Sequence, residues 1–589
     1  MPSGFKLNYR LDLAIECVKL FGPPNLVSFA ILYYLVPAKL LGGYFTRGLW
    51  QYFLVLVYLW TWDKYGQWKG RREAKKLGAV FIPRVKGKWP GNLDLGKRML
   101  DQIGESYFTE AMEQFFGDND TINFGALWTD VYVTRSHTVT QAVLAQTFET
   151  FHKGYELRSL LHGLLGEGIF ASDGAEAKTH RAVMRPFFGK ERVRDLNLLD
   201  HYVEKSVALI HERAQQGLSI DVQDLFRRFT MDAAGEFLFG SKDFNTLDRP
   251  LPVPSSVGLK ANATELDQGP YGELVLAFDK LQEIIAIRSI SGRWWAIREF
   301  WKDETVGYNK VVDRFVLPLV HKALNNKKLR GGKKCDVQDG NFVDHLADAV
   351  SDVKVIRDGL FNLLIAARDT TASMLTFTVY LLSLHPEILA KLRKEVVSIV
   401  PSGPPTFDDM RKMPLLRAVL NESLRLFPPA PMNARSSKSA CLVPGDKQSG
   451  GKPYYIPGSE KRVCYLTFPL HRKKDVWGED AEEFVPDRWI DKDETQRVQR
   501  PHIYPFGAGP RICPGQEFAY IESSIMMIRI LQVFDTFTLR QKEDAPPGSL
   551  PPKSWEGAPG RKGIEQIWPT LAVVLYIKVG SRLYIYTRE

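Results

Sequence analysis

A ten-residue run near the carboxyl end constrains this chain more than any other feature. It reads Phe-Gly-Ala-Gly-Pro-Arg-Ile-Cys-Pro-Gly over residues 506–515, and a helical pattern begins directly after it. Gly507 and Gly509 let the backbone pass close to a flat ligand, because no Cβ stands in the way. Cys513, near the start of the predicted helix, gains from amide dipoles that favour a thiolate, the form that binds metal.

The same run argues against two other kinds of site. A dinucleotide-binding loop would need a third glycine where Ile512 stands. A turn with a buried structural cysteine would not need Phe506, the glycines, Arg511 and Cys513 at fixed offsets. We therefore predict that Arg511 pairs with an anionic group on the flat ligand and that Cys513 binds its metal.

The distribution of the cysteines bears on disulfide bonds and on other metal sites. The chain has five, an odd number without close pairs, at positions 17, 335, 441, 464 and 513. This spacing argues against a disulfide framework and against a zinc site.

The charge of the chain is concentrated at one end. The 589 residues carry a net charge of +10, and residues 1–88 contain 14 Lys or Arg against four Asp or Glu, which accounts for all of it. Residues 89–589 are therefore formally neutral, so a nucleic-acid protein built around a basic groove is excluded.

Two apolar runs precede the basic cluster. They cover residues 26–41 and 49–62, each shorter than the roughly 20 residues that span a bilayer. We predict that residues 1–62 anchor the protein in a membrane with one or two hydrophobic helices, either as one tilted span with an interfacial helix or as a shallow hairpin. Residues 63–88 are predicted to form a basic juxtamembrane linker. Two buried core helices are the alternative. Lys and Arg beside a span mark the cytoplasmic side, so we expect the body to face the cytosol.

The rest of the chain has no repeat or interior linker. Helical periodicity dominates from about residue 200 to 425 and is clearest over 359–384, whereas the region after 425 is rich in proline and glycine with short strands. We predict one catalytic domain over 89–589, mainly α with a small β region (α+β).

The Phe506–Gly515 run resembles the haem-binding loop of the cytochrome P-450 haem-thiolate monooxygenases. The resemblance implies that Cys513 is the axial ligand of haem iron, and that Phe506, Gly507, Gly509, Arg511 and Gly515 contact the haem. It also implies the cytochrome P-450 fold over the catalytic domain.

Residues 366–371, Ala-Ala-Arg-Asp-Thr-Thr, resemble the distal oxygen-activation motif of that superfamily. An acid beside a hydroxyl can relay protons, so Asp369 and Thr370 are the predicted catalytic pair. Ala367 replaces the usual glycine. Ala366 stands where some fatty-acid hydroxylases carry a glutamate esterified to haem, so we expect no such covalent link.

Three further segments match the superfamily in order. Glu422 and Arg425 lie on one helix face, and Arg488 in Phe484–Trp489 is expected to complete a structural Glu-Arg-Arg network with them. Arg435 resembles a ligand of a haem propionate. Arg181 is predicted to bind a propionate too, although Ala177 stands where the family usually has tryptophan.

Several segments look most like fungal families that hydroxylate alkanes and fatty acids. The resemblance implies a membrane-anchored enzyme that inserts one oxygen atom of O2 into a lipophilic substrate, with non-covalent haem b and with NADPH-derived electrons from a flavoprotein reductase. We expect it at the endoplasmic reticulum, with the catalytic domain in the cytosol. The predicted substrate-pocket residues are Leu164, Ile169, Phe170, Phe361, Ala366 and Met432.

Three alternatives stay open from the sequence. One is a tailoring oxidase of a fungal secondary metabolite, such as a terpenoid or an aromatic compound. Another is a haem-thiolate isomerase or dehydratase, which would have little need for Asp369 and Thr370. The third is a non-catalytic haem sensor.

Overall fold

Helices make up most of the fold, and the strands form four small sheets, as a computed structural model shows. The structure describes residues 8–37, 42–103, 106–107, 109–126, 128–161, 163–188, 196–254, 269–333, 335, 341–490 and 503–587. The prediction of a mainly helical α+β chain is confirmed.

The longer helices are α1 (Tyr9–Tyr34), α2 (Tyr44–Lys76), α3 (Leu93–Ile103), α4 (Gly154–Leu161), α5 (Gly174–Phe187), α6 (Leu196–Gln215), α7 (Val222–Phe239), α8 (Pro270–Ser291), α9 (Thr305–Leu329), α10 (Phe342–Ala349), α11 (Val353–Leu384), α12 (Pro386–Ile399), α13 (Pro414–Leu426) and α14 (Gln516–Val533). Shorter α-helical turns cover Glu110–Glu113, His137–Gln141, Trp295–Arg298, Phe407–Arg411, Thr467–Leu470, Lys474–Trp477 and Gln541–Asp544.

The strands are β1 (Val80–Phe81), β2 (Thr121–Asn123), β3 (Val131–Thr134), β4 (Phe151–His152), β5 (Ile220–Asp221), β6 (Met432–Ser437), β7 (Cys441–Val443), β8 (Tyr454–Ile456), β9 (Arg462–Leu466), β10 (Thr536–Leu539), β11 (Pro569–Leu571), β12 (Leu575–Ile577) and β13 (Arg582–Tyr586). The strand orders in the four sheets are β1-β8-β7, β2-β3-β9-β6-β4, β10-β13-β5 and β11-β12.

Contacts group the chain into two units. The first comprises Met1–His162, Ile287–Glu304 and Asn433–Leu466, and the second comprises Gly163–Ala286, Thr305–Met432 and Thr467–Glu589. The predicted catalytic domain, 89–589, therefore contributes to both units.

The first unit contains α1 and α2. Among the described residues, α1 is the one single helix that is long and apolar enough to cross a membrane, while α11 and α12 pass the same test as a pair bent by 115°. Helix α1 begins at Tyr9, well before the predicted apolar run at 26. Helix α2 runs without a break through the predicted boundary at residue 62 and ends at Lys76.

Two apolar clusters form the core around the sheets of the first unit. One joins Ile82, Tyr132 and Val463 to the β1-β8-β7 sheet, and the other packs Leu95 and Phe116 with strands β2, β3 and β9. Strand β1 pairs in parallel with β8, so that Val80 lies opposite Tyr454.

Helix α11 is the centre of the second unit. Most of its residues are buried on every side, including several polar ones, and Asp352 caps its first turn by accepting from the Lys354 and Val355 amides. Helix α7 packs along it, and the Thr230 hydroxyl on α7 donates to the Arg368 carbonyl over 2.8 Å. Helices α13 and α14 also contact α11.

Candidate active site

Helix α11 is accessible at only three positions along most of its length. From Ile356 to Leu382 every residue is buried except Ala366, Ala367 and Thr370. Positions i, i+1 and i+4 lie on one face of a helix, so these three form a single small patch. The patch coincides with the motif predicted to activate oxygen.

The segment before α5 is fixed against this helix by two polar side chains. Asn362 donates through Nδ2 to the Leu165 carbonyl over 2.7 Å and accepts through Oδ1 from the Phe170 amide over 3.3 Å. Asp358 accepts from the Glu167 amide over 3.1 Å. Asn362 lies one turn before Ala366, so the segment around Phe170 lies close to the accessible patch.

The residues predicted to line the substrate pocket differ in their exposure to solvent. Leu164 and Phe361 are completely buried among protein atoms, and Phe361 packs edge-on against Phe278. Ile169, Phe170 and Ala366 are half-buried, and Met432 is 36% exposed at the start of β6. The described contacts thus bring Ile169, Phe170 and Ala366 to the same stretch of α11, whereas Leu164 and Phe361 have no free surface.

Asp369 lies next to the patch but is itself buried. Its Oδ2 accepts a hydrogen bond from Gln282 Nε2 over 2.9 Å. Its Oδ1 lies 3.3 Å from Arg368 Nη1 and 3.9 Å from Arg227 Nε, and among the described residues it accepts no hydrogen bond. One oxygen of this buried carboxylate therefore keeps an unused lone pair.

A cavity of about 90 Å³ lies beside Asp369. Arg227, Asp279, Gln282 and Glu283 contribute polar groups to its wall. Asp279 is 33% exposed and pairs with Arg368 over 3.3 Å. A polar cavity of this size can hold water, and it borders both the half-buried Asp279 and the buried Asp369.

The hydroxyl hydrogen of Thr370 takes part in a hydrogen bond within α11. Its Oγ1 donates to the Ala366 carbonyl over 2.6 Å. The oxygen of the hydroxyl is therefore free to accept a hydrogen bond on the accessible face of α11.

The predicted haem loop folds back on itself in front of α14. The Cys513 amide donates to the Phe506 carbonyl over 2.9 Å, and the Phe506 ring packs on Tyr520 of α14. Gly507 has a φ of +71° and borders open space, since no atom lies within 4 Å of where a Cβ would stand. The loop thus leaves a gap on the side of Gly507.

Burial raises the pKa of the Cys513 thiol, while the Gly515 amide and Arg181 act in the opposite direction. Burial therefore outweighs the stabilisation of the thiolate that the sequence led us to expect. A metal ion on the sulfur would deprotonate it outright.

The three arginines that are predicted to bind the haem each donate a hydrogen bond to a nearby protein group. Arg181 donates to the Ile512 carbonyl over 2.9 Å, and Arg511 donates to Asp173 Oδ1 over 2.8 Å, both within the second unit. Arg435 lies in the first unit on β6, where it donates to its neighbouring Ala434 carbonyl over 2.7 Å. Asp173 was not foreseen as a partner of Arg511.

Helix α14 connects the cysteine loop to α11. The Glu522 carboxyl is hydrogen bonded to Thr371, and Ser523 Oγ lies 3.5 Å from Met374 Sδ. Thr371 directly follows Thr370. The helix that begins after Cys513 therefore packs against the helix that carries the accessible patch.

Glu422, Arg425 and Arg488 form the predicted cluster. Arg425 binds Glu422 through Nε and Nη2, both over 2.8 Å, and Arg488 Nε donates to Glu422 Oε1 over 2.9 Å. The Trp489 indole and the Val485 amide also donate to this carboxylate. Glu422 and Arg425 are fully buried, so every charge in the centre of the cluster is paired.

These residues fit a flat prosthetic group that carries a metal. Among the described residues no group of three His, Cys, Asp or Glu side chains could hold a metal ion. A metal bound by Cys513 would therefore take its other ligands from a non-protein group, and the gap beside Gly507 offers room for one.

The family profile for cytochrome P450 matches residues 88–554. The chain belongs to the cytochrome P450 family. It is 35% identical to cytochrome P450 52A5 of Candida maltosa over 70% of this chain and 76% of that protein. It is 33% identical to cytochrome P450 52-E3 of Starmerella bombicola, over 78% of this chain and 86% of that protein. The cytochrome P450 monooxygenase himC of Aspergillus japonicus is 35% identical over 67% of each chain.

Several predictions made from the sequence are thereby confirmed. This P450 is a monooxygenase that uses haem b with thiolate ligation, O2 and NADPH-derived electrons. It acts on a lipophilic substrate, and it needs a redox partner.

No sequence motif indicated which side chains surround Asp369. Gln282 lies on α8, far from Asp369 along the chain, in no motif, and Arg227 lies on α7. Arg368 directly precedes Asp369 in the motif. Its charge was the one feature of the sequence that indicated an arginine beside this carboxylate.

Proposed function

We propose that this P450 hydroxylates a long lipophilic chain of the fatty-acid or alkane kind. The accessible patch of α11 carries the proposal. Its exposed side chains are two alanine methyl groups and one hydroxyl, and the nearby half-buried side chains of Ile169 and Phe170 are apolar. Apolar walls with few polar groups suit a hydrocarbon, because an unpaired buried polar group would be costly.

Bound haem supplies O2 activation and the insertion of oxygen into a C–H bond. In our proposal Cys513 holds the haem through its sulfur, and Phe506, Gly507, Gly509 and Gly515 shape the loop beside it. Arg181, Arg435 and Arg511 are assigned to the propionates.

We assign proton delivery to Asp369 and Thr370. Asp369 Oδ1 has an unused lone pair and lies beside the polar cavity, so it can take a proton from water there. The Thr370 oxygen, whose own hydrogen goes to the Ala366 carbonyl, can hold a water on the accessible face. The buried surroundings keep other water away, which favours controlled proton transfer.

The redox partner and the location complete the proposal. Electrons come from an NADPH-dependent flavoprotein reductase, and the catalytic part faces the cytosol at the endoplasmic reticulum. The basic residues that follow the apolar helices support this orientation. The lipophilic substrate is taken up from the bilayer.

A binding screen followed by turnover tests the substrate class. Microsomes that contain the full chain and a reductase are titrated with fatty acids, alkanes, terpenes and polycyclic aromatics, and the haem difference spectrum is recorded. We expect a spectral response and NADPH-dependent hydroxylated products from fatty acids or alkanes. A response to terpenes or aromatics alone would contradict the proposed substrate class.

The residue assignments are tested separately. Cys513→Ser is expected to lose the spectral signature of thiolate-ligated haem in the reduced carbon monoxide complex. Cys464→Ser, at a buried cysteine of the first unit, is the matched control and should keep that signature. An unchanged spectrum in Cys513→Ser would overturn the ligand assignment.

A further inference from the structure

Helices α1 and α2 form an antiparallel hairpin. Gln51 Nε2 on α2 donates to the Asn25 carbonyl over 3.0 Å and lies 3.2 Å from Asn25 Oδ1 on α1. The two helices pack along each other. Tyr9 at the start of α1 and Lys76 at the end of α2 are therefore the two open ends of the hairpin.

The first end of the hairpin is attached to the body of the first unit. The Tyr9 hydroxyl donates to the Glu299 carbonyl over 3.0 Å, and the rings of Tyr9 and Trp295 lie 5.0 Å apart. Glu16 pairs with Arg293 over 3.4 Å. Tyr9 and Leu13 are buried in an apolar cluster with Trp295, so the first turns of α1 lie on the protein.

The second end of the hairpin is attached to the same unit. Asp63 of α2 forms an ion pair with Arg84, and Gly70 lies so close to the Phe81 ring that a Cβ there would overlap it. Strand β1 then pairs with β8. Both ends of the hairpin are therefore held by one folded unit.

Between its ends the hairpin exposes apolar surface. Residues 20–34 and 48–62 contain no Asp, Glu, Lys or Arg. Leu26, Phe29 and Tyr33 are more than 60% exposed on α1, and Trp60 and Trp62 are more than 55% exposed on α2. An apolar surface of this extent marks an interaction site.

Aromatic rings and positive charges alternate near the base of α2. Lys64 lies 5.7 Å from the Trp60 ring centre, and Arg72 lies 5.4 Å from that of Trp68. Trp beside Lys and Arg is typical of the interface between hydrocarbon and anionic headgroups. The exposed surface therefore fits a phospholipid bilayer.

We propose that α1 and α2 enter an anionic phospholipid bilayer together as one hairpin, with both ends on the side where the rest of the first unit lies. A single crossing by α1 would place Tyr9 and Glu16 across the bilayer from Trp295 and Arg293, which they contact. Residues 20–34 give about 23 Å of helix at 1.5 Å per residue. That length passes the middle of a hydrocarbon core roughly 30 Å thick.

Cross-linking in intact membranes tests this topology. Glu16→Cys and Arg293→Cys are combined in the full chain, with a protease site inserted between Gly42 and Gly43. Sealed microsomes are treated with a short bismaleimide, quenched, solubilised and cut. We expect the two fragments to stay joined. Fragments that separate fully would overturn the proposal, because they would place residue 16 away from residue 293.

A matched pair controls for random collision. Both pairs are made in a Cys17→Ser background, because Cys17 packs on the same apolar cluster as Trp295. Leu26→Cys with Arg293→Cys moves the first cysteine onto the exposed arm of the hairpin, and its fragments should separate to the same extent as in Arg293→Cys alone. Equal cross-linking in both pairs would overturn the inference.

A second measurement uses the unmodified hairpin. A peptide tag fused ahead of residue 1 should be removed by protease added outside sealed microsomes. A tag that is protected there, and removed only after detergent, would refute the hairpin topology. This readout does not depend on substrate or turnover, so it is independent of the proposed function.

Discussion

Two buried carboxylates of the second unit, Glu422 and Asp369, are held very differently. Glu422 accepts five hydrogen bonds, two from Arg425 and one each from Arg488, Val485 and Trp489. Asp369 accepts one, from Gln282, and its second oxygen accepts none from the described residues.

The difference separates a structural role from a catalytic one. A buried charge that is fully paired resists any change in its protonation, and losing a partner is costly. A buried carboxylate with a free lone pair next to a water-sized cavity can exchange a proton. The two sites therefore predict opposite responses of stability and turnover to substitution.

The largest effect is expected at the fully paired site. Glu422→Ala leaves the Arg425 and Arg488 charges buried without their partner, which should lower the free energy of unfolding by about 3–5 kcal/mol. Denaturant unfolding of the holoenzyme measures it. Asp408→Ala, in an exposed pair with Arg411, is the control and should cost less than about 1 kcal/mol. Similar losses in both variants would contradict the structural role.

Substitution of Asp369 should lower turnover. Asp369→Asn keeps the shape of the side chain but removes its proton-transfer chemistry, so product formation should fall at least about 10²-fold, while O2 consumption continues without product. Product and O2 are measured together. Asp232→Asn, a buried aspartate bound to Thr246 and Leu247, should lower stability without uncoupling. Full coupling in Asp369→Asn would refute the assignment.

A smaller effect is expected from the one hydrogen bond that Asp369 accepts. Gln282→Leu removes this bond, so kcat should fall about tenfold, which corresponds to about 1.4 kcal/mol, with KM little changed. Steady-state kinetics measures both constants. A change confined to stability, with an unaltered kcat, would mean that Gln282 only packs.

A separate effect, on the pH dependence of stability, concerns a third carboxyl, Glu522. Burial raises its pKa from 4.5 to about 8. Between these values the unfolded chain has released the proton that the folded protein retains, so stability should fall as pH rises through that window and level off above pH 8. Glu522→Gln should flatten this fall. Parallel stability curves for the two proteins would contradict the raised pKa.

Contacts between residues close in the sequence could be predicted from it. Ala366 and Thr370 form one helix face by their spacing alone, and Glu422 and Arg425 pair at i, i+3. Gln282 could not be predicted, since its contact with Asp369 depends on how α8 packs against α11.

The amino-terminal region shows a second limit. The charges at Arg10, Asp12 and Glu16 interrupt the apolar pattern before residue 26. In the structure one helix nevertheless begins at Tyr9, and Glu16 pairs with Arg293. Helix α2 extends to Lys76 because Arg, Glu, Ala and Lys are strong helix formers.

The pairing of β1 with β8 bears on any attempt to produce a soluble form of this enzyme. Cutting the chain at residue 88 would remove Val80 and Phe81 together with the hairpin. The backbone of Tyr454 and Tyr455 would then be an uncovered sheet edge, which is a template for aggregation between molecules. A shortened enzyme that starts just before residue 79 would keep this edge covered.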